Sequence, residues 1–86
     1  MPVEQAERMD NMIIRIPFFD GIYDLERVCI YLGHDTYRVF DVYPDGQEIP
    51  VHYLGREFVN ADEAIILLEH TYNVDDEHIA AIKGVI

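Results

Sequence analysis

The chain contains no serine and no tryptophan, one cysteine, and only six basic residues among 86. Each shortage excludes something. Without serine there is no hydroxyl nucleophile of the serine-hydrolase type. The lone thiol, Cys29, cannot close an internal disulfide, so the fold is not a disulfide framework and a reducing compartment suits it. Cys29 also falls in an apolar β-prone run, where a buried inert thiol is the ordinary outcome. Gly21, Gly33, Gly46, Gly55 and Gly84 stand alone, so no phosphate-cradling loop is present. No repeat, linker or low-complexity tract divides the chain. The longest uninterrupted apolar stretch, residues 64–68, is far too short for a bilayer. Residues 1–10 lack the basic and apolar segments of a secretory signal, and a cytoplasmic location is expected.

What remains is ample for a core. Half the residues are apolar, and six tyrosines and four phenylalanines are present. A chain of this length buries about two-thirds of its unfolded surface and folds as a single domain of marginal stability. The charge is the unusual feature: seventeen acids against six bases give a formal net charge of −11. Self-repulsion of that kind opposes compaction and is retained for solubility or for meeting a basic partner. It disfavours direct contact with nucleic-acid phosphate and with anionic membrane surfaces. Residues 57–77 carry seven acids and no Lys or Arg. Such a run reads as a solvated face or as a docking surface.

Periodicity and turn residues give an α+β class. Residues 2–11 fit a short helix or a flexible arm. Residues 12–17 form a β-prone run that Pro17 is expected to stop. Residues 20–33 fit either a helix capped by Asp20 or a strand over residues 26–32 with Val28, Ile30 and Leu32 inward; the β-branched and aromatic content favours the strand. Residues 36–43 are the clearest strand, Tyr43-Pro44-Asp45-Gly46 is a turn, and residues 48–54 return with Ile49, Val51 and Tyr53 on one face. Pro50 places that return strand at an edge. Asn60 and Glu63 make a capping-box pattern for a helix reaching about Thr71, with Asn73 as left-handed terminator. Asp75 caps a second helix that ends near Gly84, and Val74 is placed to staple onto Ile79. The expected architecture is a three- to four-strand antiparallel meander followed by a C-terminal αα pair packed on one face.

On the first helix, Ala61, Ala64, Ile65, Leu68 and Tyr72 share a face with Leu67 at its flank. Ile66 falls nearly opposite, among Asp62, Glu63, Glu69 and His70. An apolar residue ringed by carboxylates suits an interface anchor with a polar rim, although a single exposed isoleucine is also ordinary. With Glu57 and the Asp75, Asp76, Glu77 run, these residues form the candidate partner-binding face. Most of the six tyrosines are expected in core and cross-strand packing. His70 and His78 flank three acids, but neither they nor His34 and His52 show the spacing of a zinc site. No metal, cofactor or catalytic residue is assigned, and the chain reads as a binding protein.

The size and charge resemble those of small acidic inhibitors that phages and mobile elements direct against CRISPR or restriction complexes. That resemblance is one of composition. It implies a nucleic-acid mimic, whose carboxylates occupy the basic groove of a protein or nucleoprotein complex. The alternatives are a structural or regulatory adaptor, homodimeric through a sheet edge or Ile66, and a small metal- or ligand-binding domain using His70 and His78.

Overall fold

The computed structural model describes residues 12–84; the arm or short helix expected at the N-terminus lies outside them. The element order is β1 (Ile13–Phe19), β2 (Asp24–Gly33), β3 (Thr36–Val42), β4 (Glu48–Pro50), β5 (Phe58–Val59), α1 (Ala61–Glu69) and α2 (Asp76–Lys83). The strands form one antiparallel sheet in the order β1-β2-β3-β4, with β5 also paired to β3. The expected α+β class, a small meander followed by two helices, is what the chain adopts.

The ambiguous segment is a strand. Its inward face, however, is the other one. Cys29 pairs with Ile14 on one side and Val39 on the other, and all three join the core under the helices. Val28 and Ile30 therefore face the opposite side, and Leu32 is exposed. Both alternating sets of β2 are largely apolar, so the pattern alone did not fix which faces inward; a one-residue shift exchanges the two sets.

β1 also runs past Pro17 to Phe19. Tyr31 donates its N–H to the Met12 carbonyl at 3.1 Å. Hydrogen-bonded and non-hydrogen-bonded pairs alternate along an antiparallel ladder. Even-numbered β1 residues thus point their backbone groups at β2, and Pro17 points its missing N–H outward. Its outward carbonyl accepts from Asn73 Nδ2 at 2.7 Å. Proline is harmless there and, together with Asn73, blunts the free edge.

The return strand is shorter than expected. After Pro50 the chain keeps one ladder bond, Val51 N–H to the Val39 carbonyl at 2.8 Å, and then turns out through a small hairpin closed by Tyr53 and Arg56. Leu54 and Gly55 at its tip have positive φ, 51° and 81°. The chain then rejoins β3 as β5, where Val59 pairs with Tyr37. β4 and β5 thus share one edge of β3.

The core lies between the sheet and the helices. Ile14, Ile16, Cys29, Tyr37 and Val39 meet Ala61, Ala64, Ile65, Leu68 and Ile82 there. Each large apolar side chain so buried contributes about 1.5–3 kcal/mol. Two polar pins fix α1 on the sheet. Asp35, from the β2–β3 turn, accepts the Ala61 N–H at 3.2 Å. Arg27, on the helix-covered face of β2, donates from Nη1 to the Leu67 carbonyl at 2.7 Å. That carbonyl belongs to the last turn of α1, which lacks intrahelical partners and carries the negative end of the helix dipole. The remaining guanidinium nitrogens grip Asp41 at 2.8 and 3.0 Å, with both side chains only 12–13% exposed.

Candidate functional site

α1 begins as its sequence pattern predicts. Asn60 Oδ1 accepts the Glu63 N–H at 2.9 Å, and Glu63 Oε1 accepts the Asn60 N–H at 3.1 Å. The helix ends two residues early, at Glu69. The left-handed residue is Tyr72 (φ 62°), not Asn73. Asn73 is occupied elsewhere, through its side chain on Pro17 and its N–H on Thr71 Oγ1. Tyr72 consequently leaves the core face on which a longer helix would have placed it and stands 94% exposed.

The second helix starts at the expected cap, and its box partner is His78, whose Nδ1 accepts the Asp75 N–H at 3.1 Å. Val74 and Ile79 are both half-buried against the core, as a staple requires. Among the described residues, no group of three or more His, Cys, Asp or Glu stands close enough to hold a metal ion.

The carboxylates sort into two populations. Of fourteen acids in residues 12–84, four take an arginine: Glu26 with Arg15, Asp41 with Arg27, Glu57 with Arg38 and Glu63 with Arg56. These four are half-buried. The other ten have no Lys or Arg partner among the described residues, and every one of them is exposed. All four arginines of this region are thereby paired, Arg15 and Arg56 while remaining exposed, and the ten remaining acids carry the net negative charge of the described surface.

The predicted face divides along that line. Glu63 accepts a two-pronged grip from Arg56, and that hydrogen bonding, with the Asn60 N–H, holds its carboxyl below the usual range. Glu57 faces Arg38 at 3.8 Å. Glu63 is thereby committed to the start of α1, whereas Glu57 is only loosely paired. Asp62, Ile66 and Glu69 remain together on the outward side of α1, with Ile66 37% exposed. Asp75, Asp76 and Glu77 follow at the start of α2, all exposed.

Tyr72 stands between the two acidic groups in sequence, and composition alone did not single it out. Its conformation does. A tyrosine at positive φ strains the backbone, and full exposure returns no burial to offset it. Glu69 is similar: an acid in the last turn of α1, with no base there, opposes the helix dipole.

Two buried groups lie apart from this face. Burial pushes the Cys29 thiol up to about 12, which removes it as a nucleophile near neutrality. Burial likewise pushes Tyr37 up to about 12, and its hydroxyl has no hydrogen-bond partner among the described residues.

Compared with known protein families, with curated proteins and with solved structures, the chain matches none. Among the described residues, no helix is long and apolar enough to cross a membrane.

Proposed function

We propose that this protein is a non-enzymatic inhibitor that docks its acidic helical face on the basic groove of a nucleic-acid-binding protein or nucleoprotein complex, as a nucleic-acid mimic. The observation that carries the reading is the separation of the charges: ten exposed acids with no Lys or Arg partner among the described residues, while the arginines of the same region are spent on half-buried carboxylates. A predominantly negative surface steers a basic partner from a distance and disfavours nucleic acid itself. The anchors within it are Ile66 and Tyr72, rimmed by Asp62, Glu69, Asp75, Asp76 and Glu77. Tyrosine is enriched among residues that dominate binding energy. Glu69 and Tyr72 each break a local stability rule, and such breaks gather at functional sites.

The reading is tested by immobilising the chain, capturing partners and eluting with salt or with competing duplex DNA. The expected outcome is a nucleic-acid-binding complex released by both, and lost with Glu69→Lys and Tyr72→Gly combined. Glu63 is left intact in that test, because its replacement would unfasten the start of α1. Retention of the same complex by the double variant would remove this face as the binding surface.

A further inference from the structure

We infer that the turn end of the sheet carries a second recognition site, a cavity lined by the packed Tyr23–Tyr43 pair and the β3–β4 turn, that takes one arginine or lysine side chain of a basic polypeptide. The antiparallel register brings the β1–β2 and β3–β4 turns to the same end, since Glu26 pairs with Val42 and Val42 with Glu48. There the two tyrosine rings stand 5.7 Å apart at 66°. With Pro44, Asp45 and Gln47 they line a cavity of about 340 Å³. That is the lower end of the range for small-molecule pockets, the scale of a single side chain.

Both walls are built before anything binds. Asp20 Oδ1 accepts the N–H groups of Ile22 and Tyr23 at 2.8 and 2.7 Å, and Asp20 donates its own N–H to the Tyr23 carbonyl at 3.2 Å. Across the cavity, Tyr43 donates to the Gln47 carbonyl at 2.9 Å and accepts from Gly46 at 2.8 Å. Asp45 Oδ1 accepts the Gln47 N–H at 3.0 Å. Ordering that is already complete need not be supplied on binding.

The chemistry of the lining selects the ligand. Tyrosine faces attract cations through their quadrupole, and a desolvated contact strengthens the attraction. Asp45 supplies a negative charge within the lining, and Asp20, with Asp24 and Glu48 at the strand ends beside the two turns, stands exposed. None of the four has a Lys or Arg partner among the described residues. The backbone N–H bonds hold the Asp20 carboxyl below its usual range, so it stays ionised. An anion is repelled, and a neutral apolar group would leave the carboxylates unused.

The site shares no residue with the α1 face, and its test is separate. The full ¹⁵N-labelled chain is titrated with N-acetyl-arginine amide, and with N-acetyl-citrulline amide as the uncharged analogue, by amide chemical shift. Saturable shifts are expected at Tyr23, Tyr43, Asp45 and Gln47, with the citrulline analogue at least about tenfold weaker. Asp45→Asn keeps the turn acceptor and removes the charge; Tyr23→Leu keeps an apolar wall and removes the ring. Each is expected to weaken binding about three- to tenfold. Glu69→Lys on α1 is expected to leave this binding unchanged, whatever becomes of the proposed inhibitor role. Non-saturating shifts spread over all exposed acids, an equal response to the citrulline compound, or full affinity in Asp45→Asn would overturn the inference. Should Tyr23→Leu fail to fold, Asp45→Asn decides.

Discussion

Replacing Tyr72 by glycine should make the protein more stable, although it deletes the largest side chain in the α1–α2 connection. The residue has φ 62°, a left-handed conformation that disfavours a non-glycine residue by about 1–2 kcal/mol. Glycine adopts it freely, but its looser unfolded chain takes back about 0.5–1 kcal/mol. The ring is 94% exposed, so its removal forfeits almost no burial. The backbone bond from Tyr72 N–H to the Glu69 carbonyl survives the change. The balance is a gain of about 0.5–1 kcal/mol, or about 2–8 °C in Tm. Urea unfolding followed by far-UV circular dichroism should show a higher midpoint at unchanged slope. A lower midpoint would mean that the ring has a packing role that its exposure denies.

The buried pair gives a second test. Asp41→Ala leaves Arg27 unpaired against the core and should destabilise by about 3 kcal/mol, whereas Arg27→Met with Asp41→Leu should recover most of that loss; additive losses in the double variant would contradict the account. Glu63 gives a pH test. A carboxyl with a lowered folded pKa stabilises the fold above its unfolded value, and that contribution fades as pH falls through the folded value. The advantage of wild type over Glu63→Gln should therefore be complete above about pH 4.3 and shrink in more acid solution, and an advantage constant down to pH 2 would be a failure. Cys29 reports opening of the core: with its thiol pushed up to about 12 and fully buried, iodoacetamide at pH 8 should label it only through unfolding, at a rate that rises with urea. Rapid labelling indifferent to urea would show a different thiol environment.

The helix starts were legible in the sequence, because at each one residue type met one requirement. Asn60 and Glu63 announced the start of α1, and Asp75 that of α2. Nonlocal choices were hidden. The inward face of β2 depended on partners in β1 and β3, because Cys29 and Val28 are nearly equal as core residues. β5 is two residues long, and only β3 makes it a strand. At the candidate face, the acids were visible but their pairing was not. Arg56 lies just before the acidic run and takes Glu63, which made Glu63 look free in sequence and anchored in space. Tyr72 fitted the core stripe only for as long as the helix was assumed to continue past Glu69.

Whether the proposed α1–α2 face occupies a groove that otherwise holds nucleic acid is decided by fluorescence anisotropy of labelled DNA on the captured complex, with the chain added as competitor. The expected result is stoichiometric displacement of the DNA, weakened by salt and lost in the Glu69→Lys, Tyr72→Gly double variant. DNA that stays bound while the protein saturates the complex would contradict it.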